Sequence, residues 1–128
     1  MPIAAYVRSI IQGVGETVDM RQTLSGSGGL VIEESIAIGA TDQLVSLAFV
    51  LAKLLAFYMV SDKALTIETN SASTPQETIS LAAGVPFVYV PGAGLASPFA
   101  GNVTALYATN ASGSAAALQI RVLVDATP

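Results

Sequence analysis

The chain is 128 residues long, has a formal net charge of −4 and contains neither cysteine nor histidine. That length suits a single domain held by an apolar core of ordinary size. The missing residue types exclude disulfides, iron–sulfur clusters, cysteine zinc sites and histidine-dependent catalysis within the chain, and remove the commonest metal ligand.

Charge is sparse. Only 11% of residues are Asp, Glu, Lys or Arg, against about 25% in a typical soluble domain, and the mean hydropathy is +0.65. Either the chain enters a bilayer or it buries much of its surface against copies of itself or a partner. The basic residues Arg8, Arg21, Lys53, Lys63 and Arg121 are scattered, so no patch exists to neutralise nucleic-acid phosphates. The opening Met1-Pro2-Ile3-Ala4-Ala5-Tyr6 lacks a basic region followed by an apolar run and does not read as a signal peptide. Asn102-Val103-Thr104 and Asn110-Ala111-Ser112 match the glycosylation acceptor pattern; without a secretory signal both read as chance matches.

In chain order, residues 5–11 and 17–24 are expected to be short extended runs around the turn Gly13-Val14-Gly15. Ser25-Gly26-Ser27-Gly28-Gly29 is expected to be a flexible hinge. Residues 1–29 thus form either an edge hairpin or an arm with its hinge, of which residues 1–24 would reach a neighbouring subunit, and residues 30–128 the main domain. A regular rhythm of strands follows: 30–38, 43–50, 54–61, 65–69, 77–81, 85–90, 102–109 and 116–125. Between them lie turn-forming stretches such as Asp62-Lys63, the polar loop Asn70-Ser71-Ala72-Ser73-Thr74-Pro75, and Asn110-Ala111-Ser112-Gly113-Ser114. Pro86 suggests that 85–90 is an edge strand. In 116–125, Leu118, Ile120, Val122 and Val124 face one way and Gln119, Arg121, Leu123 and Asp125 the other. The expected fold is all-β, a jelly-roll-like antiparallel sandwich of about eight strands.

Residues 44–60 are the one stretch that competes with this reading. They are apolar except for Ser46 and Lys53, and sit at the lower length limit for a membrane helix. Lys53 at mid-segment would cost roughly 2.5–3.5 kcal/mol there. A buried helix and two strands joined near Leu51-Ala52-Lys53 fit as well, and periodicity does not separate them. The surrounding strand rhythm favours two strands, with both faces apolar and so covered on both sides.

Nothing converges into an active site. Gly92-Ala93-Gly94 and Gly13-Val14-Gly15 complete no phosphate-binding motif and read as turns. Glu33 and Glu34 are adjacent carboxylates that a strand sends to opposite faces. Solvent exposure or an inter-subunit ion pair suits them better than a glycosidase dyad. Asp42 and Asp62 are expected to flank turns, without the close spacing of a calcium loop. Lys53 is a lone cation among apolar neighbours; a turn lysine with its amine in water is favoured over a nucleophile. Among the aromatic residues Phe99 is the strongest contact-anchor candidate, with core packing as the competing reading. No catalytic, cofactor-binding or metal-binding residue is expected.

The segments Leu65-Thr66-Ile67-Glu68-Thr69-Asn70, Gly94-Leu95-Ala96-Ser97-Pro98-Phe99, Val103-Thr104-Ala105-Leu106-Tyr107 and Leu118-Gln119-Ile120-Arg121-Val122-Leu123, together with Pro86, resemble the small capsid cement or decoration proteins of tailed bacteriophages. The resemblance implies a jelly roll and a non-enzymatic structural role on the outside of the virion capsid. It also implies binding across junctions between major capsid protein subunits, association as dimers or trimers, synthesis in the host cytoplasm, and no nucleic-acid or membrane partner. Other readings are a phage tail, baseplate or fibre module that binds carbohydrate, or a small membrane-associated protein if residues 44–60 form a helix.

Overall fold

A computed structural model describes residues 3–11, 18–26, 28–91, 94 and 96–125, with side chains from residue 28 onward. Ten strands form in the order β1 (Ile3–Ile11), β2 (Val18–Gly26), β3 (Gly28–Ile36), β4 (Gln43–Val45), β5 (Leu54–Ser61), β6 (Leu65–Thr69), β7 (Thr78–Leu81), β8 (Phe87–Tyr89), β9 (Leu106–Thr109) and β10 (Ala116–Val124). Strands β1 and β2 pair with each other as a separate two-stranded sheet. The remaining eight form two four-stranded antiparallel sheets, ordered β3-β10-β5-β8 and β4-β9-β6-β7. From β3 onward the chain crosses from one sheet to the other at every connection except the β6–β7 hairpin. This is jelly-roll topology: β10, last in sequence, lies between β3 and β5.

The core forms because alternate residues face inward. On β6, Leu65, Ile67 and Thr69 are buried while Thr66 and Glu68 are half-exposed; on β10, Ala116, Leu118, Ile120 and Val122 are buried. Both sheets contribute to one cluster, from Ile36, Val45 and Phe49 to Phe57, Met59, Ile67, Leu106 and Ile120. One end of it is aromatic. The Phe99 ring lies 5.4 Å from Phe49 and 5.2 Å from Phe57 at steep angles, with Phe87 and Tyr89 at 6.4 and 6.3 Å. These are edge-on contacts that the ring quadrupole favours. Phe99 is therefore a core residue that ties the β8–β9 connection to the sandwich, not an exposed anchor.

Loops are fixed by side-chain hydrogen bonds. Asn70 adopts a positive φ of 69°, which asparagine tolerates better than most residues. Its amide nitrogen donates to the Asn102 carbonyl at 2.9 Å, and its Oδ1 accepts from the Thr104 backbone at 2.7 Å. The Glu77 carboxylate accepts from the Thr69 hydroxyl at 2.7 Å and from the Ala100 backbone at 3.0 Å. Asn110, buried, donates to the carbonyls of Ile36, Ala37 and Ser114.

Residues 44–60 contain the favoured two strands, joined at Leu51–Lys53, and are neither a buried nor a membrane helix. They run from β4 through a bridge at Phe49 and a 3-10 turn at Leu51–Lys53 into β5, and no helix among the described residues is long and apolar enough to cross a membrane. Nor are residues 43–50 one strand covered on both sides. Only Gln43–Val45 pairs with β9, and Leu44 and Val50 face outward, about half exposed. The expected hinge at 25–29 is mostly strand: Ser25 and Gly26 pair with Ala4 and Ile3, and Gly28 and Gly29 with Val124 and Leu123. The turns expected at Gly13-Val14-Gly15 and at Gly92-Ala93 lie outside the described residues.

Candidate interaction surface

The outer face of the β3-β10-β5-β8 sheet is built by strand parity. Inward positions on β5 are filled by Phe57, Met59 and Ser61, so Ala56, Tyr58 and Val60 point away from the core. On β10, Gln119, Arg121 and Leu123 do the same, and on β3, Gly29, Val31 and Glu33. Register then lines up one residue from each strand. Val31 pairs with Arg121, Arg121 with Tyr58, and Tyr58 with Val88. This transverse row crosses the whole sheet, and its apolar members are exposed: Val31 67%, Tyr58 37% and Val88 44%.

Arg121 is the row's one charge, and it is compensated. Its Nη2 donates to Glu33 Oε1 at 2.9 Å, and Nη1 to the Ile120 carbonyl at 3.2 Å. Both side chains are solvent-exposed, so the pair adds little to stability, on the order of 0–1 kcal/mol; its consequence is a face with no net charge. Glu33 thus finds its partner within the chain, while Glu34 lies half-buried on the opposite face of β3, as expected for adjacent strand residues. At the other end of the face Leu123 is only 5% exposed although it lies outside the main core cluster, and β2 runs close to β5 and β10.

The opposite sheet presents a more polar face. Its row runs Leu44, Tyr107, Glu68, Thr78, beside Thr66, Ser80 and Thr109. Here the fold assembles a carboxyl pair. The Glu68 carboxyl titrates above its ordinary range, chiefly through desolvation, then through a hydrogen bond shared with Asp42 and the negative charge of Asp42. Asp42 has a positive φ of 52° just before β4, and its Oδ1 accepts from the Thr109 hydroxyl at 3.3 Å. A carboxyl with a raised folded-state pKa loses stability as pH rises from the unfolded value near 4.5 through that raised value. Glu68→Gln removes this penalty. Its melting temperature is expected to exceed that of the wild-type protein at pH 7, with the difference closing below about pH 4. Equal melting temperatures for the two proteins at pH 7 would count against the Asp42–Glu68 contact.

The remaining candidates from the sequence lie apart from these rows. Lys53 ends the 3-10 turn, where its carbonyl accepts from the Asp125 backbone at 2.8 Å, and it borders a shallow, open cleft of about 280 Å³ with apolar walls including Leu30, Phe49 and Val124. Asp62 follows β5 and accepts from the Ala117 backbone at 2.7 Å. Gly94 has a positive φ of 82° in the β8–β9 connection. Among the described residues no three acidic side chains gather as metal ligands, and every buried side-chain nitrogen or oxygen has a hydrogen-bond partner. Asn110 has its amide committed to three carbonyls inside the fold, which leaves it no room for a glycan.

Strand parity in the sequence already separates Arg121 and Leu123 from the inward residues of β10. It carries no sign that Val31, Tyr58 and Val88 share a row, because that depends on which strands become neighbours. The Asp42–Glu68 pair was likewise missed, since it joins the residue before β4 to β6 across β9. No family model, no curated protein and no solved structure matches this chain.

Proposed function

We propose that this protein is a non-enzymatic structural protein of a bacteriophage virion, one that binds the outside of the capsid and stabilises contacts between major capsid protein subunits. The observation that carries the reading is the exposed row Val31, Tyr58 and Val88 on a broad sheet face where Arg121 is compensated by Glu33. A face of this kind offers apolar area without a concavity. It suits a wide protein surface better than a small molecule, which prefers an enclosed pocket. The jelly-roll topology is the one implied by the resemblance to capsid cement proteins, and the low charge suits a chain that hides surface in an assembly.

The test is co-sedimentation of purified protein with capsids of its source phage that lack it. Binding is expected to saturate at a fixed number of copies per capsid, and loaded particles are expected to withstand heat or low salt better than bare ones. Absence of binding, with the protein recovered in purified tails, would move it to a tail, baseplate or fibre.

A further inference from the structure

Three of the four edges of the two sandwich sheets are short: β4 and β8 have three residues each and β7 has four. The fourth, β3, has nine, pairs with β10 along its whole length without a register shift, and has no strand among the described residues hydrogen-bonded on its other side. A long, regular edge presents a row of backbone donors and acceptors to any strand that can lie beside it, and proteins usually shorten, bulge or interrupt such edges. β3 carries no proline, no lysine and no bulge.

Its sequence specifies what can lie there. Reading outward from Val31, one neighbour on each side is Leu30 or Ile32, the next Gly29 or Glu33, and the next Gly28 or Glu34. A strand that carries glutamates at two positions and glycines at the two mirror positions complements itself when it runs antiparallel to a copy. We propose that two copies of the chain pair through β3 about a two-fold axis at Val31, joining their sheets into one of eight strands. In this register Leu30 faces Ile32 of the second copy, Gly29 faces Glu33 and Gly28 faces Glu34. Carboxylates never oppose one another, and each meets a residue without a side chain to crowd it. Centring the axis on Glu33 or on Glu34 instead would set a carboxylate directly opposite its own copy, which destabilises a ladder. Pairing at Val31 covers the most exposed large apolar side chain among the described residues. It also places the two N-terminal hairpins at opposite ends of the seam and carries the apolar row from Val88 to Val31 on into the second copy. The contact is between copies of this chain and stands or falls independently of capsid binding.

The chain has no cysteine, so a single introduced thiol reports the contact. Wild-type protein is expected to sediment at twice the 13.0 kDa chain mass. On mild oxidation Val31→Cys is expected to convert to a disulfide-linked dimer, because directly opposed strand residues lie within the Cα separation a disulfide needs. Val88→Cys, on the opposite edge strand, is expected to remain uncrosslinked. Val31→Asp, at an exposed site, is expected to sediment as a monomer with an unchanged far-UV circular dichroism spectrum. Wild-type sedimentation as a monomer or a trimer, or Val31→Cys crosslinking no faster than Val88→Cys, would overturn the proposal.

Discussion

Replacing Phe99 with alanine is expected to lower the free energy of unfolding by about 3–5 kcal/mol, the range for deleting a buried aromatic ring. The ring is 3% exposed and lies among four other aromatic rings, three of them from β5 and β8, with Phe49 and Phe57 closest. Those three belong to strands held by ladders, which limits collapse into the space. The residue also has a second task. The Ser97 hydroxyl donates to the Phe99 carbonyl at 2.8 Å and accepts from the Phe99 backbone at 3.1 Å, so the ring and a local turn together fix the β8–β9 connection. Phe99→Leu, which keeps most of the volume, is expected to cost less than half as much. Urea unfolding of both variants checks this. A Phe99→Ala loss below about 1 kcal/mol would mean that the ring is not packed as described.

Asn110 is expected to be the most sensitive polar position. Its amide nitrogen donates to the Ile36 and Ala37 carbonyls at 3.2 Å each and to Ser114 at 2.7 Å. Its Oδ1 accepts from the Ser112 backbone at 3.1 Å and from the Ser112 hydroxyl at 2.6 Å. The side chain thereby joins the end of β3 to the turn before β10, and its own backbone N–H donates to the Ala40 carbonyl at 2.8 Å. Asn110→Ala removes five hydrogen bonds made by a buried side chain, each worth about 0.5–1.5 kcal/mol, while the Ala37 and Ser114 carbonyls keep second donors in the Ala40 backbone and the Ser112 hydroxyl; a total loss of about 3 kcal/mol is expected. Asn110→Asp keeps the shape but points an acceptor at three carbonyls, and is expected to be at least as damaging. Thermal melts of the two variants decide it: an aspartate variant as stable as wild type would contradict the hydrogen-bond assignment.

Much of this fold is legible in the sequence where alternation is strong. The bounds expected for 54–61 and 65–69 coincide with β5 and β6; of the set Leu118, Ile120, Val122 and Val124 on β10 the first three are buried and Val124 half-buried, while Leu123 on the other face is buried as well. Legibility fails where a long-range partner decides the outcome. Residues 46–48 alternate like a strand, yet the chain has left β9 after Val45 and touches the far connection only at the Phe49–Val103 bridge. Gly28 and Gly29 look like linker by composition but become ladder because Val124 and Leu123 lie opposite. Pairing order is invisible locally, and with it the row that makes Val31, Tyr58 and Val88 one surface. The Asp42–Glu68 contact is hidden for the same reason. The single-sided burial of β4 was not legible either, because Leu44 is apolar and yet faces outward.

The most direct test of the account compares capsid co-sedimentation of wild-type protein with two variants of exposed positions on opposite faces. Tyr58→Asp combined with Val88→Asp places uncompensated charge on the apolar row; Thr78→Asp places it on the polar face of the other sheet. The account predicts saturable wild-type binding, an affinity loss of at least about tenfold for the double variant, equivalent to about 1.4 kcal/mol, and wild-type behaviour for Thr78→Asp. A double variant that binds capsids as well as the wild-type protein, or a Thr78→Asp protein that loses binding instead, would contradict it.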